Sequence, residues 1–323
     1  MITIAQSFQD YLETVKYARS ENTFLAYSNA IKYFWMTLES NRIDPEVDLV
    51  DVLKEEAISW FAYDLKSYSA ASEQLYIIAI KGYIEFLLAE NLTTINLSKV
   101  KLLIKQRTRK PGIRLPQFPA DDITKIIEFM ENTPISEKID HRDKLRAMRD
   151  KAFLITLADT GLRVHEACLL RRGDIDWNEG KALVIGKGNQ QAVVRFSKRS
   201  QKELRAYLQE RSNLDGQSGK QLGSLPLFAR HDKGAGEKIK QITPTTGRNI
   251  VTACVKEILG DEAIGTITPH SFRHYFVTKV LTVTGNLKLA QNLARHKNIA
   301  VTQRYAHLSN DEMDKGYWEV FEE

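Results

Sequence analysis

Apolar residues recur at helical spacing through the first third of the chain: Phe24, Tyr27, Ile31, Phe34 and Leu38 fall on one face, and further periodic segments follow near residues 53–67 and 70–90. No strand pattern interrupts them. Ser20 and Ser72 stand where helix N-caps are needed, so this part predicts a bundle of four or five helices held mainly by burial of the apolar stripes. After residue 120 the pattern alternates. Helices are expected near 120–131 and 143–159; "DIDWNEGKALVIGKGNQQAVVRFS" then reads as two or three short strands turning at Asn178-Glu179-Gly180 and Gly188-Asn189, and helices resume after Ser200. The fold class is mostly α with a small antiparallel β-sheet, in two domains: a helical one over residues 1–104 and an α+β one over 120–323.

Between them, "KQRTRKPGIRLPQFP" (residues 105–119) contains three prolines and a glycine, and reads as an extended basic linker. Charge sharpens the division. Residues 1–104 hold 9 Lys and Arg against 14 Asp and Glu, the linker 5 against none, and residues 120–323 hold 32 against 27. A uniformly basic first domain is excluded, so any nucleic-acid contact it makes comes from one local face. Cys168 and Cys254 have neither disulfide-framework nor zinc-ligand spacing, which fits a reducing compartment. The longest apolar run, Leu75 to Ile80, is too short to span a membrane, and "MITIAQSFQD" lacks the basic start and apolar stretch of a signal peptide. A cytoplasmic location is expected.

Candidate chemistry lies in the second domain. In "ADTGLRVHEACLL", Gly161 suits a left-handed helix end, and Arg163 and Glu166 are neighbours on the next helical turn. His165-Glu166 does not begin a zinc-protease motif, because Leu169 stands where a second histidine is required. Lys187 sits between glycines at the hairpin tip "VIGKGNQ". In "ITPHSFRHYFVT", His270 and Arg273 are three apart just after Pro269, a good first-turn residue, and such a helix start favours anions. Finally, "LARHKNIAVTQRYAHLSN" places Tyr305 nine residues after His296 and two before His307. Taken alone, an aromatic at that spacing near a C-terminus is usually core.

The order of these groups resembles the tyrosine recombinase/integrase family, Xer-like or phage-integrase-like. Its members carry a "TGLR..E" arginine, a hairpin lysine, an "H..RH" helix, a second histidine or tryptophan, and a tyrosine nucleophile nine residues beyond it; here these are Arg163 with Glu166, Lys187, His270 and Arg273, His296 and Tyr305. The match covers residues 120–310, and "SENTFLAYSNAIKYFWMTL" looks like the family's N-terminal core-binding domain. The resemblance implies a site-specific recombinase that cleaves double-stranded DNA through a 3′-phosphotyrosyl bond. Tyr305 would be nucleophile, His270 its base, Lys187 the acid for the leaving 5′ oxygen, and Arg163, Arg273 and His296 donors to phosphate oxygens; Glu166 would orient a neighbouring side chain. Metal-free phosphoryl transfer needs such guanidinium forks on the non-bridging oxygens, and no cofactor or metal is expected. The same enzymatic groups suit a type IB topoisomerase, and the fold alone would suit a non-cleaving DNA-binding accessory protein.

The family also implies a nucleoid-associated homotetramer on two DNA sites. Met313, Tyr317, Val320 and Phe321 form an apolar stripe that would dock in trans on a neighbouring protomer. Two positions depart from the pattern: "ARH" replaces the usual "LGH", so that Arg295 could add a phosphate contact, and Asn96-Leu97 replaces an Asn-Pro. His274 and His307 are left outside the catalytic set.

Overall fold

The computed structural model describes residues 2–110, 119–186, 190–236 and 238–303, and the chain divides into two compact units, Met1–Arg114 and Leu115–Glu323. The first unit contains helices α1 (Ile4–Ala18), α2 (Glu21–Ser40), α3 (Glu56–Asp64), α4 (Ala70–Ala89) and α5 (Leu97–Arg107). On α2, Ile31, Phe34 and Leu38 are buried while Phe24 and Tyr27 pack at the margin of the core. Phe34 meets Phe61 edge-on at 5.2 Å, and Phe8 lies 4.8 Å from Tyr83. Each such side chain contributes about 1.5–3 kcal/mol by leaving water.

Ser20 caps α2, its hydroxyl accepting from the Thr23 N–H. Ser72 does not cap α4. The chain turns three residues earlier, where Ser69 accepts from the Ser72 N–H at 3.1 Å. The stretch from residue 105 is likewise not extended at its start. Asn96 caps α5 by accepting from the Ser98 and Lys99 N–H groups, and the helix runs on to Arg107. Beyond it, the Arg109 backbone N–H and Nε donate to the buried Glu73 at 2.8 and 2.5 Å, tying the chain back to its own unit.

The second unit contains α6 (Ala120–Asn132), α7 (His141–Thr160), α8 (Val164–Leu169), β1 (Ile175–Asp176), β2 (Lys181–Gly186), β3 (Gln190–Arg195), α9 (Lys198–Glu210), α10 (Ser212–Gln217), α11 (Pro244–Leu259), α12 (Pro269–Thr284), α13 (Leu287–Ala294) and α14 (Ile299–Gln303). Helix α7 is buried without interruption from Ala152 to Ala158, as a helix covered on all sides must be. The sheet is antiparallel in the order β1-β2-β3, with Leu183 opposite Val193. Ala182, Val184 and Val194 turn inward, and Leu183, Ile185 and Val193 outward. Cys168 and Cys254 are free and buried, each thiol pushed up to about 12 by that burial. Among the described residues no helix is long and apolar enough to cross a membrane.

Candidate active site

Three chain reversals converge in the second unit. The first follows α7, which ends on Gly161 in the left-handed conformation (φ 58°). A Cβ there would stand 2.5 Å from the Phe276 ring, so a side chain is excluded sterically as well as conformationally. This turn aims the Gly161 carbonyl at the site and delivers Arg163 to the N-cap of α8, where Glu166 accepts from the Arg163 N–H at 2.9 Å and from Arg163 Nη1 at 2.8 Å. Glu166 is buried, whereas the Arg163 side chain is 41% exposed.

The second reversal starts α12. Pro269 occupies its first turn, with His270 beside it and Arg273 one turn on. Arg273 is buried, and donates through Nη1 to the Gly161 carbonyl at 2.6 Å and through Nη2 to that of Ala294. The His270 and His274 rings meet edge-on, 4.2 Å apart.

The third closes α13, whose C-cap is Arg295 with φ 57° and ψ 43°. A left-handed residue with a side chain costs roughly 1–2 kcal/mol, which accounts for the glycine usual at this place. In the structure this side chain has a carboxylate as its partner. It is turned inward, 10% exposed, and its Nη2 lies 3.0 Å from Glu166 Oε2. His296 follows: its backbone is tied to Gln291 in both directions, and its Nδ1 lies 2.8 Å from Thr302 Oγ1.

Arg163, Glu166, His270, Arg273, Arg295 and His296 thus line one cavity of about 560 Å³, with Val184 and Ala192 of the hairpin on its wall. Burial alone would raise the Glu166 carboxyl, but the Arg163 N–H bond and the Arg295 and Arg163 charges together hold it below the usual carboxylate range. His270 is lowered by burial, then by Arg273 and Arg163. Burial and neighbouring charge push His274 and His296 each down to about 4. The imidazoles are therefore neutral at pH 7, and three guanidiniums face a single carboxylate. Such a cavity receives an oxyanion and still holds neutral bases. Among the described residues no His, Cys, Asp and Glu cluster could hold a metal ion.

Five of the expected site residues, Arg163, Glu166, His270, Arg273 and His296, meet here. Lys187 and Tyr305, like His307 and the stripe after it, lie outside the described residues; the flanking strands pair Gly186 with Gln190. The Arg295 ion pair and the Gly161 carbonyl carry no sequence signal, because they depend on contacts between groups 129 and 112 residues apart, and Thr302, six residues after His296, belongs to no motif that marks it.

The model of the phage integrase family matches residues 117–312. Tyrosine recombinase XerC of Thermodesulfovibrio yellowstonii is 28% identical over 292 residues, spanning 90% of this chain and 86% of that protein. XerC of Bacillus pumilus is 29% identical over 320 residues, spanning 96% and 93%. Among solved structures, the Tn1549 transposon integrase in complex with transposon right end DNA superposes with a TM-score of 0.67 at 18% identity, covering 99% of both chains. XerH site-specific recombinase bound to a palindromic difH substrate gives 0.66 at 18%, covering 93% of this chain and 80% of that one.

Proposed function

The chain belongs to the phage integrase family, and from that premise we propose that it is a site-specific tyrosine recombinase whose 560 Å³ cavity holds the scissile phosphate of duplex DNA. The observation that carries the reading is the convergence of Arg163, Arg273, His270 and His296 on that cavity, with Tyr305 nine residues beyond His296. Arg163 and Arg273 neutralise charge that builds on the non-bridging oxygens. His270, neutral and on the open side, takes the phenolic proton as the Tyr305 oxygen attacks phosphorus. His296 acts in the tautomer whose Nδ1 accepts from the Thr302 hydroxyl, 2.8 Å away, which puts its proton on Nε2 for donation to a phosphate oxygen.

The bond from phosphorus to the 5′ oxygen breaks, Lys187 supplies the proton that oxygen needs, and the 3′ phosphate remains on Tyr305. Attack by the 5′ hydroxyl of the partner site reverses the step on a new strand. Four protomers on two DNA sites complete the exchange; docking of the terminal helix in trans rests on the apolar spacing of Met313, Tyr317, Val320 and Phe321.

The test is covalent trapping on genomic DNA followed by sequencing of the attached ends. The native chain is expected to give adducts at a defined site, and Tyr305→Phe to bind that site without one. An adduct surviving in Tyr305→Phe overturns the assignment; relaxation of a plasmid carrying the site, without recombinants, assigns nicking and closing instead.

A further inference from the structure

Arg295 combines two unfavourable features in one residue. It holds a left-handed backbone with a side chain attached, and its buried Nε has no hydrogen-bond partner. Strain of this kind persists where the surroundings hold it, and here the holding group is Glu166. The carboxylate is fully engaged: Oε1 accepts Arg163 Nη1, while Oε2 accepts both the Arg163 backbone N–H and Arg295 Nη2. An arginine beside a carboxylate tends to close on both oxygens with its fork. Arg163 meets Glu166 with a single side-chain nitrogen.

We propose that Arg295 is a positioning residue for Arg163: by occupying one oxygen of Glu166 it prevents Arg163 from closing bidentately on that carboxylate, and so keeps the remaining guanidinium donors for substrate. Two observations bear this out. Arg163 lines the cavity and is the more open of the pair, at 41% against 10% exposure. The two like charges, both within reach of one carboxylate, also hold each other apart. Glu166 is then the pivot of a triad in which one guanidinium is fixed so that the other stays available. The inference rests on reading the cavity as the strand-cleavage site.

Arg295→Gly is the direct test, because glycine adopts the same backbone without strain and only the side chain is lost. Using the duplex recovered by covalent trapping as probe, single-turnover phosphotyrosyl formation is expected to fall about tenfold or more while DNA affinity changes little, the pattern of a lost transition-state contact. Arg295→Lys, which keeps a cation for Glu166, should recover part of the rate. In a Glu166→Gln background the carboxylate that attracts Arg163 is gone, so adding Arg295→Gly should cost much less than it does alone. A crystal structure of Arg295→Gly should show Arg163 bidentate on Glu166.

Native cleavage with an undiminished Arg295→Gly rate, or additive costs in the double variant, overturns the inference and leaves the site reading intact. Absence of any adduct with the native chain sinks the site reading instead. The variant structure then still decides on Arg295, an unmoved Arg163 counting against it.

Discussion

Arg273 Nη1 lies 2.6 Å from the carbonyl of Gly161, a contact between groups 112 residues apart that binds the start of α12 to the end of α7. With its Nη2 on Ala294, this guanidinium also closes α13. Arg273, proposed as a phosphate ligand, is therefore also part of the scaffold, whereas Arg163 is proposed to act mostly as a ligand. The two alanine variants should differ accordingly. Arg273→Ala takes the donor from the Ala294 carbonyl and leaves that of Gly161 only the longer bond from Arg295 Nη2 at 3.4 Å, at roughly 1–3 kcal/mol for a buried carbonyl left unpaired, so it should lower the urea midpoint as well as abolish cleavage. Arg163→Ala should lose cleavage by a comparable factor with little change in midpoint. Arg273→Lys should not recover the stability, because one ammonium does not reproduce a fork held by two carbonyls. Equal midpoints for the two alanine variants would refute the division of roles.

Lys187 is proposed to protonate the leaving 5′ oxygen. Lys187→Ala should then be slow on ordinary DNA yet near native on a substrate whose bridging 5′ oxygen is replaced by sulfur, a leaving group that needs no proton. Single-turnover rates on the two substrates decide it. An equally slow reaction on the sulfur substrate would assign the proton to another group.

The five described site residues were legible through the ordered motifs that carry the family resemblance, and two local signals place them: a left-handed glycine before Arg163 and a proline before His270. The element pattern was legible for the same reason, since burial periodicity marks α2, α6, α7 and the hairpin directly. What escaped depends on contacts made at a distance. Ser72 and Ser69 are equivalent as caps in sequence, and only the turn of the chain selects Ser69. Arg295 read as a surface cation able to meet phosphate, because nothing local reveals that Glu166 lies behind it. The basic residues from 105 and the prolines beyond them read as a linker, whereas α5 runs on to Arg107 and Glu73, 36 positions away from Arg109, draws the start of that stretch into the bundle. Arg211 and Asp215, which no motif marks, pair fully buried, with the Leu227 and Pro226 carbonyls completing the guanidinium's bonding.

That buried pair leads to a pH dependence. The Tyr207 hydroxyl oxygen accepts from Arg211 Nη1 at 2.9 Å and from the Ala229 N–H at 3.2 Å, so its own proton goes to His231 Nε2 at 2.7 Å. His231 must then be neutral, and burial, with Arg149, Arg211, Arg146 and His141 nearby, pushes it down to about 3. An unfolded histidine titrates near ~6.5 and takes up its proton first, so this contribution is complete above that value and is lost as pH falls towards 3. Urea midpoints at successive pH values should fall across this window, and His231→Gln, whose amide oxygen accepts from Tyr207, should flatten the slope. It should not remove it, since His274 and His296 are displaced in the same direction. An unchanged slope in His231→Gln would remove His231 from the account.

Glu73 gives the first unit its own ionic anchor. The carboxylate is completely buried and takes Lys66 Nζ at 2.6 Å as well as the two Arg109 donors, while Lys66 reaches on to the Arg107 carbonyl at 2.7 Å. Burial would raise Glu73, but Lys66 and Arg109 outweigh it and hold it below the usual carboxylate range. Its stabilising effect is thus present above the ordinary glutamate value and lost as pH falls through the lower, folded one. Glu73→Ala removes the shared acceptor of Lys66 and Arg109, whose side chains are 40% and 42% exposed and so return to water, and it should lower the melting transition of the first unit by the lost hydrogen bonds, not by a stranded charge. Arg109→Ala should cost less, because Lys66 still neutralises the carboxylate and the Arg109 side chain is 42% exposed. The same lesion should show itself chemically. Residues 107–110 lose their attachment to α4, and limited tryptic proteolysis at Arg107 and Arg109 should quicken in Glu73→Ala well below its melting temperature. If Glu73→Ala melts like the native chain and these bonds are cut no faster, the carboxylate does not anchor the end of α5, and the order of residues 105–110 comes from α5 packing alone.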